Sequence, residues 1–128
     1  GPNFDAVLAS NDGTAGGAIQ ALTEEGLAGK VIVTGQDADL AACQRIAQGT
    51  QAMTVYKPIE SIATKEAELA LKLAQRKPVV AKDSIPNGKM DVPMVLLDII
   101  PVTKENLRET VVKDGFHKEA DVFQPSQP

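Results

Sequence analysis

Asp5-Ala6-Val7-Leu8-Ala9-Ser10-Asn11-Asp12 is the stretch on which the reading of this chain turns. Asp5 to Ala9 is a short apolar run, which predicts a buried parallel strand, and the helical pattern that follows puts Ser10, Asn11 and Asp12 on a strand-to-helix turn. In open parallel sheets, ligands bind at the carboxyl ends of the strands, where loops and helix N-termini converge on a crevice. Two later strand ends repeat the arrangement, at Thr34-Gly35-Gln36-Asp37-Ala38-Asp39 and at Val55-Tyr56-Lys57-Pro58. Asn11, Asp37 and Lys57 are therefore expected to project from neighbouring strand ends towards one place. An amide, a carboxylate and an ammonium suit a small polyhydroxylated ligand better than a bond-breaking reaction.

Outward from the first strand, Thr14 to Glu25 reads as a helix, with Ala15, Ala18, Ile19 and Leu22 at helical spacing. Asp12 is the expected N-cap, with Asn11 as the other candidate, and Gly26 closes the helix. Gly16-Gly17 in its first turn costs about 1 kcal/mol per glycine relative to alanine, so a compensating contact, most simply close approach to the sheet, is expected there. Lys30 to Thr34 is a second strand, Asp39 to Gln48 a second helix ended by Gly49, and Ala52 to Tyr56 a third strand. Pro58 suits the first turn of a long helix from about Ile59 to Gln75, whose apolar side is Ile62, Ala63, Glu66, Ala67, Ala70, Leu71 and Ala74. Alternation of strand and helix predicts α/β architecture, with parallel strands joined by right-handed crossovers in a flavodoxin-like sheet.

The character changes from Pro78 to Pro93, where three prolines and the turn-like Pro86-Asn87-Gly88 predict a loop or short hairpin. Val95 to Val102 resumes as a strand, and Thr103 is a capping candidate for a short helix over Lys104 to Val112. The segment from Lys113 to Pro128 ends in a proline-rich tail expected to be mobile. Four strands are few for a doubly wound domain, and the chain begins almost directly on a strand that nothing precedes to cover. The expectation is a piece of a larger protein, or one that needs a partner chain; Gly1-Pro2 itself reads as a remnant of tag removal.

The bulk numbers close off several classes. With 128 residues, 43% of them apolar, one domain can bury a core. A net charge of -4 without any lysine or arginine cluster argues against nucleic acid or an anionic membrane as partner. Cys43 is the single cysteine, so neither an intrachain disulfide nor a Cys-x-x-Cys site can form. No apolar run approaches the roughly 18 residues of a membrane span, and no signal-like segment opens the chain.

Each candidate residue has a structural competitor. Asn11 and Asp12 cap helices as a matter of course, and Asp37 or Asp39 could cap the second helix, though one cap suffices and the other aspartate is then free for a ligand. Lys57, held extended before a proline, competes with a plain solvated lysine. Tyr56 reads as packing, and His117, the one histidine, as structural or solvated, so no metal site can be assembled. Ser10 lacks the Gly-x-Ser-x-Gly elbow, and the glycines after Asn11 lack both phosphate-loop and dinucleotide spacings. No cofactor is implied; an enzyme of flavodoxin-like architecture is the remaining class, and a receiver domain is disfavoured because no acidic pair follows the first strand.

Several motifs in order carry a resemblance that no single one would. Asp5-Ala6-Val7-Leu8-Ala9-Ser10-Asn11-Asp12 is followed by Gly16-Gly17-Ala18-Ile19-Gln20-Ala21-Leu22 and Gly35-Gln36-Asp37-Ala38-Asp39. Gln51-Ala52-Met53-Thr54-Val55-Tyr56-Lys57-Pro58 and Lys113-Asp114-Gly115-Phe116-His117-Lys118-Glu119 complete the set. Together they resemble the C-terminal part of bacterial D-xylose-binding proteins, solute receptors of ABC-type sugar importers in the type I periplasmic binding protein superfamily. The resemblance covers nearly all of Asn3 to Val122. It implies a non-enzymatic receptor of two α/β lobes joined by three crossing strands, with the sugar enclosed between them and Asn11, Asp37 and Lys57 as hydrogen-bonding positions.

By the same resemblance, residues 3–57 belong to the C-terminal sugar-binding lobe, and 58–100 hold a hinge crossing and elements of the N-terminal lobe. Residues 101–122 form the return crossing and C-terminal helix, and 123–128 a disordered tail. Implied partners are D-xylose or a related monosaccharide, the remainder of the receptor, and an ABC permease, in the periplasm or lipid-anchored outside the membrane. A sensor kinase or chemoreceptor is the alternative client. The ligand-binding core of a LacI-type repressor, which shares the fold, would need a helix-turn-helix that this chain lacks. The family's arginine, further acidic ligands and stacking aromatics lie upstream of these residues, and with 3% aromatics and no Trp the chain holds about half a site. Its exposed half-interface also makes self-association an expectation.

Overall fold

The computed structural model describes residues 3–124. In chain order these form β1 (Ala6–Leu8), α1 (Asp12–Glu24), β2 (Ile32–Thr34), α2 (Leu40–Gln48), β3 (Thr54–Tyr56), α3 (Ile59–Ala74), β4 (Asp83–Pro86), β5 (Asp91–Met94) and β6 (Ile100–Val102). A π-helical turn (Arg108–Val112) and α4 (Glu119–Val122) follow. Gly1-Pro2 and residues 125–128 of the expected tail lie outside the described residues. The chain separates into two compact units, one made of the residues up to Lys57 together with those from Ile100 onward, the other Pro58–Ile99.

In the first unit β1 pairs parallel with β2, Val7 opposite Val33, and a parallel bridge from Thr34 to Met53 continues the arrangement towards β3. β6 then pairs antiparallel with β3, Val55 opposite Pro101. The all-parallel expectation is thus corrected at this strand: the connection from β3 leaves the unit altogether, so no crossover helix forces β6 parallel. Pro101, which has no N–H to donate, is tolerated on such a strand only at an edge. β6 is also shorter than the expected Val95 to Val102.

Two apolar clusters hold this unit. Ala15, Ile19 and Leu22 of α1 pack with Ala9, Val31 and Val33, while Cys43 and Ile46 of α2 pack with Tyr56, Val102, Leu107 and Val122. Helix α2 ends as its sequence predicts, with Gly49 in the left-handed conformation at φ 87°. β1, however, is not buried as expected. Successive side chains alternate between faces, and only the Val7 side meets α1; Leu8 is 90% and Ile32 57% exposed. A purely apolar run cannot tell a strand covered on both faces from one covered on one.

The C-terminal part is more ordered than its composition implies. The expected helix from Lys104 is replaced by turns and the π-helical turn, where the Thr110 hydroxyl donates to the Asn106 carbonyl at 2.7 Å. The ladder shifts to i−5 bonds, with Lys113 N–H donating to Arg108 O at 3.0 Å. Thr103 does not cap a helix: its hydroxyl bonds Glu105 Oε2, and its own N–H is taken by Asn106 Oδ1 at 2.8 Å. In α4 Val122 is buried. Phe123, placed by the sequence reading in a disordered tail, instead packs against the core with the Arg108 guanidinium 4.0 Å above its ring.

The second unit comprises α3 and the β4–β5 hairpin, in register Asp83 opposite Met94. Asn87 makes the turn, its Oδ1 accepting from the N–H groups of Lys89 and Met90 (3.0 Å each). α3 keeps the predicted span, but none of its residues is buried. Of the apolar side read from sequence only Ile62 is half-buried, and the rest is exposed.

Candidate functional site

Asn11 directly follows the short β1 strand and turn, in extended conformation (φ −156°, ψ 172°), and its Oδ1 accepts from the Thr14 N–H at 2.8 Å. Asn11, not Asp12, is therefore the cap of α1. Asp12 is instead 1% exposed, and its carboxylate accepts from Gln51 Nε2 (2.9 Å), Thr54 Oγ1 (2.8 Å) and the Asp39 N–H (3.0 Å). Neither Asp37 nor Asp39 caps α2 with its side chain: at the Asp39 cap position no side-chain bond forms. A carboxylate 27 residues away takes up the Asp39 N–H.

The loop Gly35 to Asp39 has every one of its N–H groups but that of Gln36 accounted for. Gly35 donates to Met53 O (3.0 Å), Asp37 to Val55 O (2.9 Å), Ala38 to Thr54 Oγ1 (3.1 Å) and Asp39 to Asp12. Asp37 and Ala38 both take positive φ, 101° and 54°. Two consecutive non-glycine residues there cost on the order of 1–3 kcal/mol each, and such conformations persist only where the surroundings over-determine them. His117 adds to the hold, its Nε2 lying 2.7 Å from Ala38 O; since a carbonyl only accepts, Nε2 carries the proton.

Asp37 and Lys57 meet directly, Oδ1 to Nζ at 2.6 Å, with both side chains 41% exposed. A pair this open to water is worth about 0–1 kcal/mol, so either group can exchange its partner for a ligand hydroxyl at little cost. Asn11 joins them through the backbone: the Asp12 N–H donates to Gln36 O (2.9 Å), tying the first turn to the second. Its side chain is bonded to Thr14, not to Asp37 or Lys57.

Sequence reasoning read Asp12 only as a helix cap and missed its partners Thr54, Gln51 and Arg45. Arg45 Nε donates to Gln51 Oε1 (2.9 Å) and its Nη2 to Asp12 O (3.0 Å). Arg45 also supplies the contact expected at Gly16-Gly17: a methyl on Gly16 would lie 3.2 Å from Arg45 Nη1, so the glycine makes room for a guanidinium and not for the sheet. Nothing local announces these partners, which are 33 to 42 residues from Asp12. Beside them Cys43 is inert: burial, then the charges of Asp12 and Asp39, push its thiol up to about 12. Among the described residues no group of three or more His, Cys, Asp or Glu side chains could hold a metal.

An amide, a carboxylate and an ammonium at these turns are groups able to hydrogen-bond the hydroxyls of a polar ligand. Residues 1–78 match the family model described as periplasmic binding protein domain, and the chain belongs to that family. Its relatives are sugar-binding receptors, not enzymes. The chain is 55% identical over 121 residues to the D-xylose-binding periplasmic protein of Haemophilus influenzae, a match covering 94% of this chain and 36% of that protein. It is 57% identical over 119 residues to the D-xylose-binding periplasmic protein of Escherichia coli, covering 93% and 36%. A carbohydrate transporter solute-binding protein from Chloroflexus aurantiacus, solved in complex with D-glucose, superposes with a TM-score of 0.83 at 34% identity, over 91% of this chain and 34% of that one. The chain thus spans about a third of the length of the proteins it matches. No helix among the described residues is long and apolar enough to cross a membrane.

Proposed function

We propose that this chain is a segment of an extracytoplasmic receptor that binds a pentose, D-xylose before others, and delivers it to an ABC importer. The observation that carries the reading is the Asp37–Lys57 pair, half-exposed at adjoining strand ends and backed by a strained loop, with Asn11 one turn away. Asp37 accepts from two neighbouring hydroxyls, Lys57 donates to a third oxygen, and the Asn11 amide nitrogen donates while its oxygen stays on the cap. The residues up to Lys57 belong, on this reading, to the sugar-binding lobe, and Pro58–Ile99 to elements of the opposite lobe. The high identity to two proteins named for D-xylose supports the choice of sugar.

A panel of monosaccharides tested by thermal shift and calorimetry on the full-length receptor should give its largest response with D-xylose. No response to any pentose would contradict the proposal. These 128 residues alone should bind at least about 100-fold more weakly, since the opposing charged hydrogen bonds, at about 1.5–3 kcal/mol each, are missing. Equal affinity would show the half-site to be complete.

Asn11→Asp separates capping from binding. Aspartate caps as well as asparagine, so stability should change by less than about 0.5 kcal/mol. Loss of the amide donor should weaken sugar binding about tenfold. Calorimetry beside thermal unfolding reads both; unchanged affinity would remove Asn11 from the site.

A further inference from the structure

We propose that Asp12, which is buried behind the rim, is its positioning residue: its carboxylate clamps the Gly35 to Asp39 loop in the strained conformation that presents Asp37 to the sugar. The proposal rests on the sugar-binding reading of Asp37 and adds a residue that acts only through it.

Three turns or strands meet on this one side chain. Oδ2 accepts from the Asp39 N–H and from Thr54 Oγ1, and that same hydroxyl oxygen accepts from the Ala38 N–H. The two peptide groups that follow Asp37 are thereby fixed, one directly and one through Thr54, at the point where φ is positive twice in succession. Oδ1 accepts from Gln51 Nε2, while the Asp12 N–H and carbonyl bind Gln36 O and Arg45 Nη2. Asn11 adjoins Asp12 in sequence, and Lys57 lies just past β3, which carries Thr54. The bonds of the carboxylate itself reach only the loop that carries Asp37, directly at Asp39 and through Thr54 at Ala38.

The arrangement also demands a carboxylate and not merely a polar group of this size. Three donors converge on two oxygens, and an asparagine would turn an N–H₂ towards one of them. Gln51 cannot simply rotate its amide in response, because its Oε1 holds Arg45 Nε (2.9 Å) and its Nε2 also holds Met53 O (3.1 Å). With the clamp broken, Ala38 and Asp37 relax towards ordinary backbone conformations, and the competent loop becomes one state among several. Apparent affinity then falls by the fraction of receptor still competent.

The test is a double-mutant cycle in the full-length receptor, with D-xylose as probe, using Asp12→Asn, Asp37→Asn and the pair, measured by stopped flow and calorimetry well below each melting temperature. Thr54→Val, which keeps Asp12 but frees the Ala38 N–H, replaces Asp12→Asn in the cycle if that variant fails to fold. Asp12→Asn should weaken binding about tenfold or more, chiefly through a slower association rate, if the competent fraction falls to about a tenth. In the Asp37→Asn background it should add less than about twofold, because its effect runs through Asp37. An equal loss in both backgrounds, or a lower melting temperature with rate and affinity unchanged, would overturn the positioning role while leaving the sugar reading intact. An Asp37→Asn variant that binds as well as the unaltered receptor would overturn both.

Discussion

Replacing Asp37 by alanine in the full-length receptor should abolish measurable sugar binding, with affinity falling at least about 100-fold for the loss of charged hydrogen bonds to two hydroxyls. The loss is not only of acceptors. Lys57 would be left without the partner that now holds its Nζ at 2.6 Å, so its own bond to the sugar would have to be made from a mobile ammonium. Stability should hardly change, because the pair is half-exposed and worth about 0–1 kcal/mol, and alanine relieves none of the strain at φ 101°. Calorimetry on the folded variant decides: an affinity within a few-fold of the unaltered receptor would take Asp37 out of the site.

The strands and helices of the first unit were legible because their signals are local. Ala15, Ile19 and Leu22 mark one face of a helix, and all three lie in the core. Gly49 marks a left-handed stop and is found in that conformation. What sequence could not convey is which side of an apolar strand is covered: Val7 and Leu8 look alike in composition, yet Leu8 is 90% exposed. The choice between Asn11 and Asp12 as cap was equally closed to local reasoning, since both residue types cap equally well. It is settled by Thr54 and Gln51, 42 and 39 residues further on, which claim the aspartate. The π-helical turn over Arg108–Val112 was closed to local reasoning as well, since that stretch reads as an ordinary short helix.

Gly35→Ala should be the most damaging single methyl in the unit. An added Cβ would overlap Asp12 Oδ1 and lie 2.7 Å from Gln51 Nε2. Neither neighbour is a loose surface end: both are buried and bonded to each other at 2.9 Å. Overpacking a filled site typically costs about 1–3 kcal/mol, and the lost hydrogen bonds place this change at or beyond the upper end. Gly17→Ala is the matched control, because nothing lies within 4 Å of its added methyl. Helix propensity predicts that it stabilises α1 by up to about 1 kcal/mol. Denaturant unfolding of the two full-length variants should move in opposite directions; a Gly35→Ala protein as stable as its parent would show that the Asp12 cluster is looser than its geometry implies.

The most direct measurement is the crystal structure of the full-length receptor with D-xylose bound. The account predicts sugar hydroxyls within hydrogen-bonding distance of the Asp37 carboxylate, Lys57 Nζ and Asn11 Nδ2, with the Asp12 clamp unchanged behind them. A sugar seated elsewhere, with Asp37 and Lys57 still bonded only to each other, would contradict it.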